Sequence, residues 1–240
     1  MLKKHFLIAL LIIFLNPSAP LFAQKDQIPL ESKLEQASER QLIKIGMISA
    51  SKPAKLKFGE FSTDNRKGLS TSSGDDASEL LFSFDLKNTT GDLAKVEASG
   101  NKATVKNSKE SQEDNDISVY ITTSLDQDDL WVLLMGGKNE NKALSLSDIF
   151  LTNGNEEVTF KHVIGTPTNK SEVTAPMGIE AFIDDYPIAA MQYYSGGSFS
   201  YKKFIWISEE SEPQLQLVMA SVFSAMLEVG DYFEDGGFTD

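Results

Sequence analysis

Apolar and polar residues alternate along much of the chain. Leu56 and Phe58, then Phe82, Phe84 and Leu86, then Ile117, Val119 and Ile121 each stand with one polar residue between neighbours, which is the period of a half-buried strand. Leu130 to Met135 is apolar without interruption and includes Trp131, a short run that predicts a strand buried on both faces. Asn153-Gly154-Asn155 separates Ile149–Leu151 from the alternation Val158, Phe160, His162 and Ile164. It predicts a hairpin, because Asn and Gly both tolerate positive φ. A second hairpin is expected around Gly196-Gly197, between Ile188–Tyr194 and Phe199–Ile207. The stretches 62–78 and 107–116 are polar and aperiodic, and read as loops. Because the strand pattern resumes on either side of them, 46–230 reads as one β-rich domain without repeats, followed by an acidic tail, 231–240. Before it, Leu30, Leu34, Ala37, Leu42 and Ile45 make an imperfect helical stripe within an N-terminal segment, 24–45.

The period changes near the C-terminus. Ser211-Glu212-Pro213-Gln214 has the form of a capping box with proline in the first turn. From 212 to 229, eleven of eighteen residues are apolar. At roughly 100° per residue, Gln214, Ser221, Ser224 and Glu228 fall within about 80° of one another, so almost all the remaining circumference is apolar. A helix of this kind needs cover on most sides. Its polar interruptions argue against a lipid span, and the only cover in the chain is the strand-rich part that precedes it. The expected fold is therefore α+β and mostly antiparallel, a curved sheet or closed barrel around a buried C-terminal helix at about 212–229.

Composition adds a compartment and removes chemistries. Lys3 and Lys4 precede the apolar run Phe6–Leu15, and Asn16, Pro17, Ser18 and Pro20 break it before Ala23. This reads as a signal peptide, 1–23, cut before Gln24. Ten apolar residues span about 15 Å of helix, roughly half a hydrocarbon core. The expectation is an exported protein, periplasmic, outer-surface or secreted, from a Gram-negative bacterium. The formal charge is −13 over 240 residues, and −15 once the two leader lysines are gone. Such a balance disfavours nucleic acid as a partner. With no cysteine, disulfides, thiolate metal sites and cysteine nucleophiles are excluded.

The remaining candidates are sparse. His162 is the one histidine beyond the leader. Alone it cannot make a typical zinc site, and no Gly-x-Ser-x-Gly accompanies it, so it reads as a structural histidine with a lone general base as the alternative. Asp126, Asp128 and Asp129 crowd one turn, and Asp231, Glu234, Asp235 and Asp240 crowd the tail. Neither group matches a calcium loop, and both read as solvated acidic turns. Asp184-Asp185 before Tyr186-Pro187 reads as a turn, against half of a glycosidase-like acid pair. Tyr193, Tyr194, Phe199, Tyr201, Phe204 and Trp206 read as cross-strand packing, with a carbohydrate or peptide platform as the alternative. Asn88-Thr89-Thr90 and Asn169-Lys170-Ser171 fit the glycosylation pattern. No residue set emerges as catalytic, cofactor-binding or metal-ligating.

The stretch from Ile188 to Leu227, a hairpin followed by KKFIWISEES and the apolar helix PQLQLVMASVFSAMLEV, resembles the end of the tubby-like C-terminal domains, which include the phospholipid scramblases. The resemblance implies a twelve-strand barrel around the helix, and a basic pocket for phosphoinositide heads. The adjacent bases in the matching stretch are Lys202 and Lys203 alone. The functional expectation is an exported non-catalytic binding or structural module of the cell envelope, with a macromolecule or lipid as partner. The alternatives are an exported carboxylate-dependent hydrolase and a lipid-interacting tubby-like barrel. Convergent carboxylates, an apolar cleft or an outward aromatic patch would separate the three.

Overall fold

The computed structural model describes residues 27–46, 55–72, 77–107, 110–139, 144–145, 149–165, 177–195, 202–232 and 238–239. Residues 1–23, expected to be a signal peptide, and Gly196-Gly197 lie outside them. After a short helix α1 (Ser32–Ala37), the chain runs through β1 (Gln41–Leu42), β2 (Lys44–Ile45), β3 (Leu56–Phe58), β4 (Phe61–Ser72), β5 (Ala77–Lys87), β6 (Leu93–Asn107), β7 (Glu110–Thr123), β8 (Trp131–Asn139) and β9 (Leu144–Ser145). It continues through β10 (Ile149–Thr152), β11 (Glu157–Ile164), β12 (Met177–Ile183), β13 (Tyr186–Tyr194) and β14 (Phe204–Ile207) to the helix α2 (Pro213–Tyr232) and β15 (Phe238–Thr239). All but β9 and β15, which pair parallel with each other, form one antiparallel sheet of thirteen strands.

The two ends of that sheet are β1 and β2, which are neighbours in the chain on either side of Ile43. Gln41 and Leu42 pair with Ile205 and Phe204 of β14, whereas Lys44 and Ile45 pair with Lys57 and Leu56 of β3. The Ile43 amide donates to the Lys203 carbonyl at 3.0 Å. Residues 41–45 thus bridge both edges and draw the sheet into a barrel. Counted as one strand, they leave twelve.

Inside the barrel lies α2. Every residue from Leu217 to Leu227 is buried, as is Val229, and the helix packs on β5, β6, β7, β13 and β14. Lateral rows of the wall face it: Phe84, Val96, Ile121 and Trp131 in one, and Leu133, Leu151 and Val158 within the next. The α+β barrel around a buried C-terminal helix expected from the pattern is the fold observed. The helix runs past Gly230 to Tyr232.

Other expectations are corrected. The polar stretches 62–78 and 107–116 are largely strand, in β4, β5 and β7, not loop. Fourteen consecutive Cα partners join β6 to β7, and a main-chain ladder of that length holds without alternating side chains. The N-terminal helix is confined to 32–37. Residues 41–45 of the stripe are extended, because pairing with two sheet edges outweighs a weak helical preference. Leu130–Met135 is not buried on both faces: Trp131, Leu133 and Met135 are, while Val132 and Leu134 are half-exposed and Leu130 is 44% exposed.

Candidate binding surface

Because α2 occupies the barrel interior, its polar groups need partners there. The four polar residues of the helix stripe are each satisfied. Ser221 and Ser224 are fully buried, and their hydroxyls donate back to the carbonyls of Leu217 and Ala220, both at 2.8 Å. Gln214, expected to cap its own helix, donates instead to Asp129 Oδ2 at 2.8 Å. At the far end Glu228 forms an ion pair with Arg66. Arg66 reaches it because β4 bulges between Asp64 and Lys67, with Asn65 at a φ of 49°. One side-chain contact at each end thus fixes the helix along the barrel axis.

Asp129 is the acid of its cluster that does most. Its Oδ2 also accepts from Trp131 Nε1 at 2.8 Å and Asn153 Nδ2 at 3.2 Å, which ties β8, the β10–β11 turn and α2 together. Asp126 Oδ1 accepts from the Asp128 amide. Asp184 and Asp185, with φ of 48° and 62°, are the two residues of the β12–β13 hairpin turn, and Asp185 points to solvent opposite Lys161 at 3.7 Å. His162 Nε2 lies 2.8 Å from the Tyr193 hydroxyl with the rings stacked. Among the described residues no three His, Asp or Glu side chains are grouped to hold a metal ion. The tail acids 234, 235 and 240, and Asn169, are outside the described residues, while Asn88 Nδ2 donates to Asp92 within its own turn.

Among the described residues, the aromatics of the last hairpin form no open platform. Tyr193 and Trp206 are buried and Phe204 is half-buried, while Phe199 and Tyr201 are outside the described residues. Tyr193 belongs to the main core, whereas Trp206 and Phe204 are covered by residues 27–40, a strap across the outer face of β12–β14. Ile28 and Leu34 form a second small core with Ala190 and Trp206, and the Arg40 guanidinium sits 3.6 Å above the Phe204 ring centroid. The Ile28 amide donates to Gln192 Oε1 at 3.2 Å and the Glu31 amide to Glu180 Oε1 at 3.0 Å. Gly178 makes room: a Cβ there would lie 2.5 Å from Ile28 Cδ1. Burial holds the Glu180 carboxyl above its ordinary pKa, and the Glu31 carboxylate adds to this. The Glu31 amide and Lys161 oppose it. The apolar stripe of the N-terminal segment includes the anchor Leu34 but not Ile28, and with only these two fully buried anchors it does not mark the strap as cover for the sheet.

Further round the sheet, on β7, β8 and β10, no described residue covers the outer face. Tyr120 on β7 is opposite Val132 on β8, and Phe150 on β10 is opposite Leu134 two residues along. Directly paired and diagonal neighbours on one sheet face lie within reach of each other, so these four form one patch, with Tyr120 42% and Phe150 38% exposed. Beside it a shallow depression of about 390 Å³ is lined by Leu81, Phe82, Ser83, Glu97 and Tyr120. A second depression, about 470 Å³, lies at the β4 bulge and brings together Arg66, Lys67 and Lys95 with Asp85 and Glu97. The apolar run 130–135 was the sequence signal for the patch, once its alternate residues are known to face outward.

No protein-family model, curated protein or solved structure matches the chain. Among the described residues no helix is long and apolar enough to cross a membrane.

Proposed function

We propose that the protein is an exported, non-catalytic module of the cell envelope that binds another macromolecule through the outer face of β7, β8 and β10. The observation that carries this reading is the uncovered patch of Tyr120, Val132, Leu134 and Phe150. Two aromatic rings and two aliphatic side chains set side by side on a rigid sheet are the make-up of an interface centre. The packed interior supports it too, since α2 fills the space in which a barrel enzyme or carrier holds its ligand. Glu97, Ser83 and Ser118 give the patch the polar border of a recognition surface.

A second reading, a lipid-interacting barrel like the tubby-like domains, takes its support from the Arg66, Lys67 and Lys95 depression. Native mass spectrometry of protein purified from its own source separates the two. The expected result is a mature N-terminus at Gln24 and a partner mass that is lost from the Tyr120→Ser/Phe150→Ser variant. A retained lipid mass that survives in that variant and is lost from Lys67→Glu/Lys95→Glu would favour the second reading. A chain that starts at Met1 would overturn the export.

A further inference from the structure

We infer that the outer face of β4–β7 is a binding groove for an uncharged polysaccharide, laid along β6 beside the ring of Tyr120. The site is additional to the patch on β7, β8 and β10 and does not rest on the partner proposed there; of the patch residues it uses Tyr120 alone. Strand register builds it. Lys67, Ser83, Glu97 and Tyr120 are successive partners in one row across β4, β5, β6 and β7. Asp85, Lys95 and Thr122 make the row on one side of it, and Leu81, Ser99 and Ser118 the row on the other. Alternate residues of a strand share a face, and the residues between these, Phe84, Val96, Val119 and Ile121 among them, are buried against the core. All three rows therefore face outward. The depressions of about 390 and 470 Å³ follow them and share Lys67, Ser83 and Glu97. A third, about 360 Å³, is lined by Leu93, Thr122 and Gln127 and shares Lys95 with the second. Joined in this way they make one groove that follows β6 from Ser99 to Leu93, about 20 Å.

The charges in the groove decide what fits it. Lys67, Lys95 and Glu97 are exposed, and among the described residues none of their side chains has an ion-pair or hydrogen-bond partner. The charges around them do: Asp64 faces Lys55 and Lys87, each at 3.7 Å, Asp85 accepts from Asn65 Nδ2 at 2.6 Å, and Arg66 turns inward to Glu228. Glu97 stands in the row of Lys67 and two residues along its own strand from Lys95. An anion held by the lysines would meet that carboxylate, and a cation held by the carboxylate would meet both ammonium groups. A hydroxyl both donates and accepts. A neutral polyhydroxylic chain therefore satisfies all three groups at once, through charge-assisted hydrogen bonds, while the ring of Tyr120, 42% exposed, offers an apolar face to the C–H side of a sugar. An extended peptide gains its affinity from main-chain pairing at a strand edge, and β5 and β6, each paired on both sides, offer none along the groove.

The test is an array of neutral, acidic and basic glycans probed with the labelled full-length protein. Binding to at least one neutral glycan is expected. Titration calorimetry with that glycan should give the same affinity at low and high salt, because the ligand carries no charge to be screened. Glu97→Ala should weaken binding by about tenfold or more, and Lys95→Ala in the same direction, with thermal melts showing the fold retained. Tyr120→Ala should weaken it by up to about tenfold, and Tyr120→Phe, which keeps the ring, by less. An array without a neutral hit would overturn the inference. So would binding of charged glycans alone that falls steeply with salt, or a neutral hit indifferent to Glu97→Ala and Tyr120→Ala.

Discussion

Two sectors of one barrel wall face the same helix and differ in what lies outside them. In β12–β14 the strap covers the outer face, and β12 is buried at five consecutive positions and β13 at seven. In β7, β8 and β10 nothing described covers it, and burial alternates. Yet the longer-lived apolar sequence is in the exposed sector. Leu130–Met135 is unbroken, whereas the doubly buried β12 contains Gly178 and Glu180. Apolar continuity therefore measures what a face carries and not whether it is covered. A covered face is built around its cover, here with a glycine for a protruding isoleucine and a carboxylate for a backbone amide.

The comparison can be broken at the element both sectors share. Phe223 is fully buried in α2, and Phe223→Ala is expected to lower unfolding free energy by about 3–5 kcal/mol in a denaturant titration. A loss under ~1 kcal/mol would mean the helix is not the common core. Next in size is Arg66→Ala, which strands Glu228 inside the barrel. The expected loss is at the lower end of about 3–5 kcal/mol, because Arg66 is 21% exposed. The double change Arg66→Met/Glu228→Met should recover most of it.

The strap sector is sharpened by two smaller effects. Gly178→Val drives a side chain into Ile28 and should cost about 1–3 kcal/mol. In a Trp131→Phe background the emission of Trp206, the remaining tryptophan, should shift to the red as the strap lifts. Emission that stays blue would show the strap undisturbed. Glu180→Gln tests the buried carboxyl through pH. Because the folded-state pKa lies above its ordinary 4.5, the stabilising contribution of the protonated form is present in full below that value and is lost as pH rises through the raised one. The variant should match wild type near pH 4 and become the more stable of the two towards neutrality. A difference constant with pH would show that Glu180 titrates normally. The smallest effect belongs to the bare sector. Tyr120→Ser and Phe150→Ser should each change stability by no more than about 0.5 kcal/mol, and thermal melts would expose a hidden packing role if either change were larger.

These results show which parts of the molecule the chain declares in one dimension. The helix was legible because a segment apolar on nearly all sides has one structural solution, and the β10–β11 hairpin because Gly154, at a φ of 88°, marks its turn. The strands that line α2 were legible through alternation. The extensions of β4 and β7 were not, because a backbone ladder has no residue code. Asp129 was read as one of a solvated cluster because its three donors, Trp131, Asn153 and Gln214, converge only in space. The Arg66–Glu228 pair depends on a bulge that no residue type announces. The outward patch was present in the run 130–135 but was read as burial, since a single strand does not say which of its faces is covered.

The order of synthesis gives α2 one more consequence. A ribosome delivers the wall first and its filling last, so while β3 to β14 emerge, the rows headed by Phe84 and Leu133 have no helix to lie against. The nascent chain must pass the whole of that interval with its greasy side unprotected, and the closing residues 41–45, made early, must wait for β14. Closing of this architecture around its core therefore waits until α2 has been made.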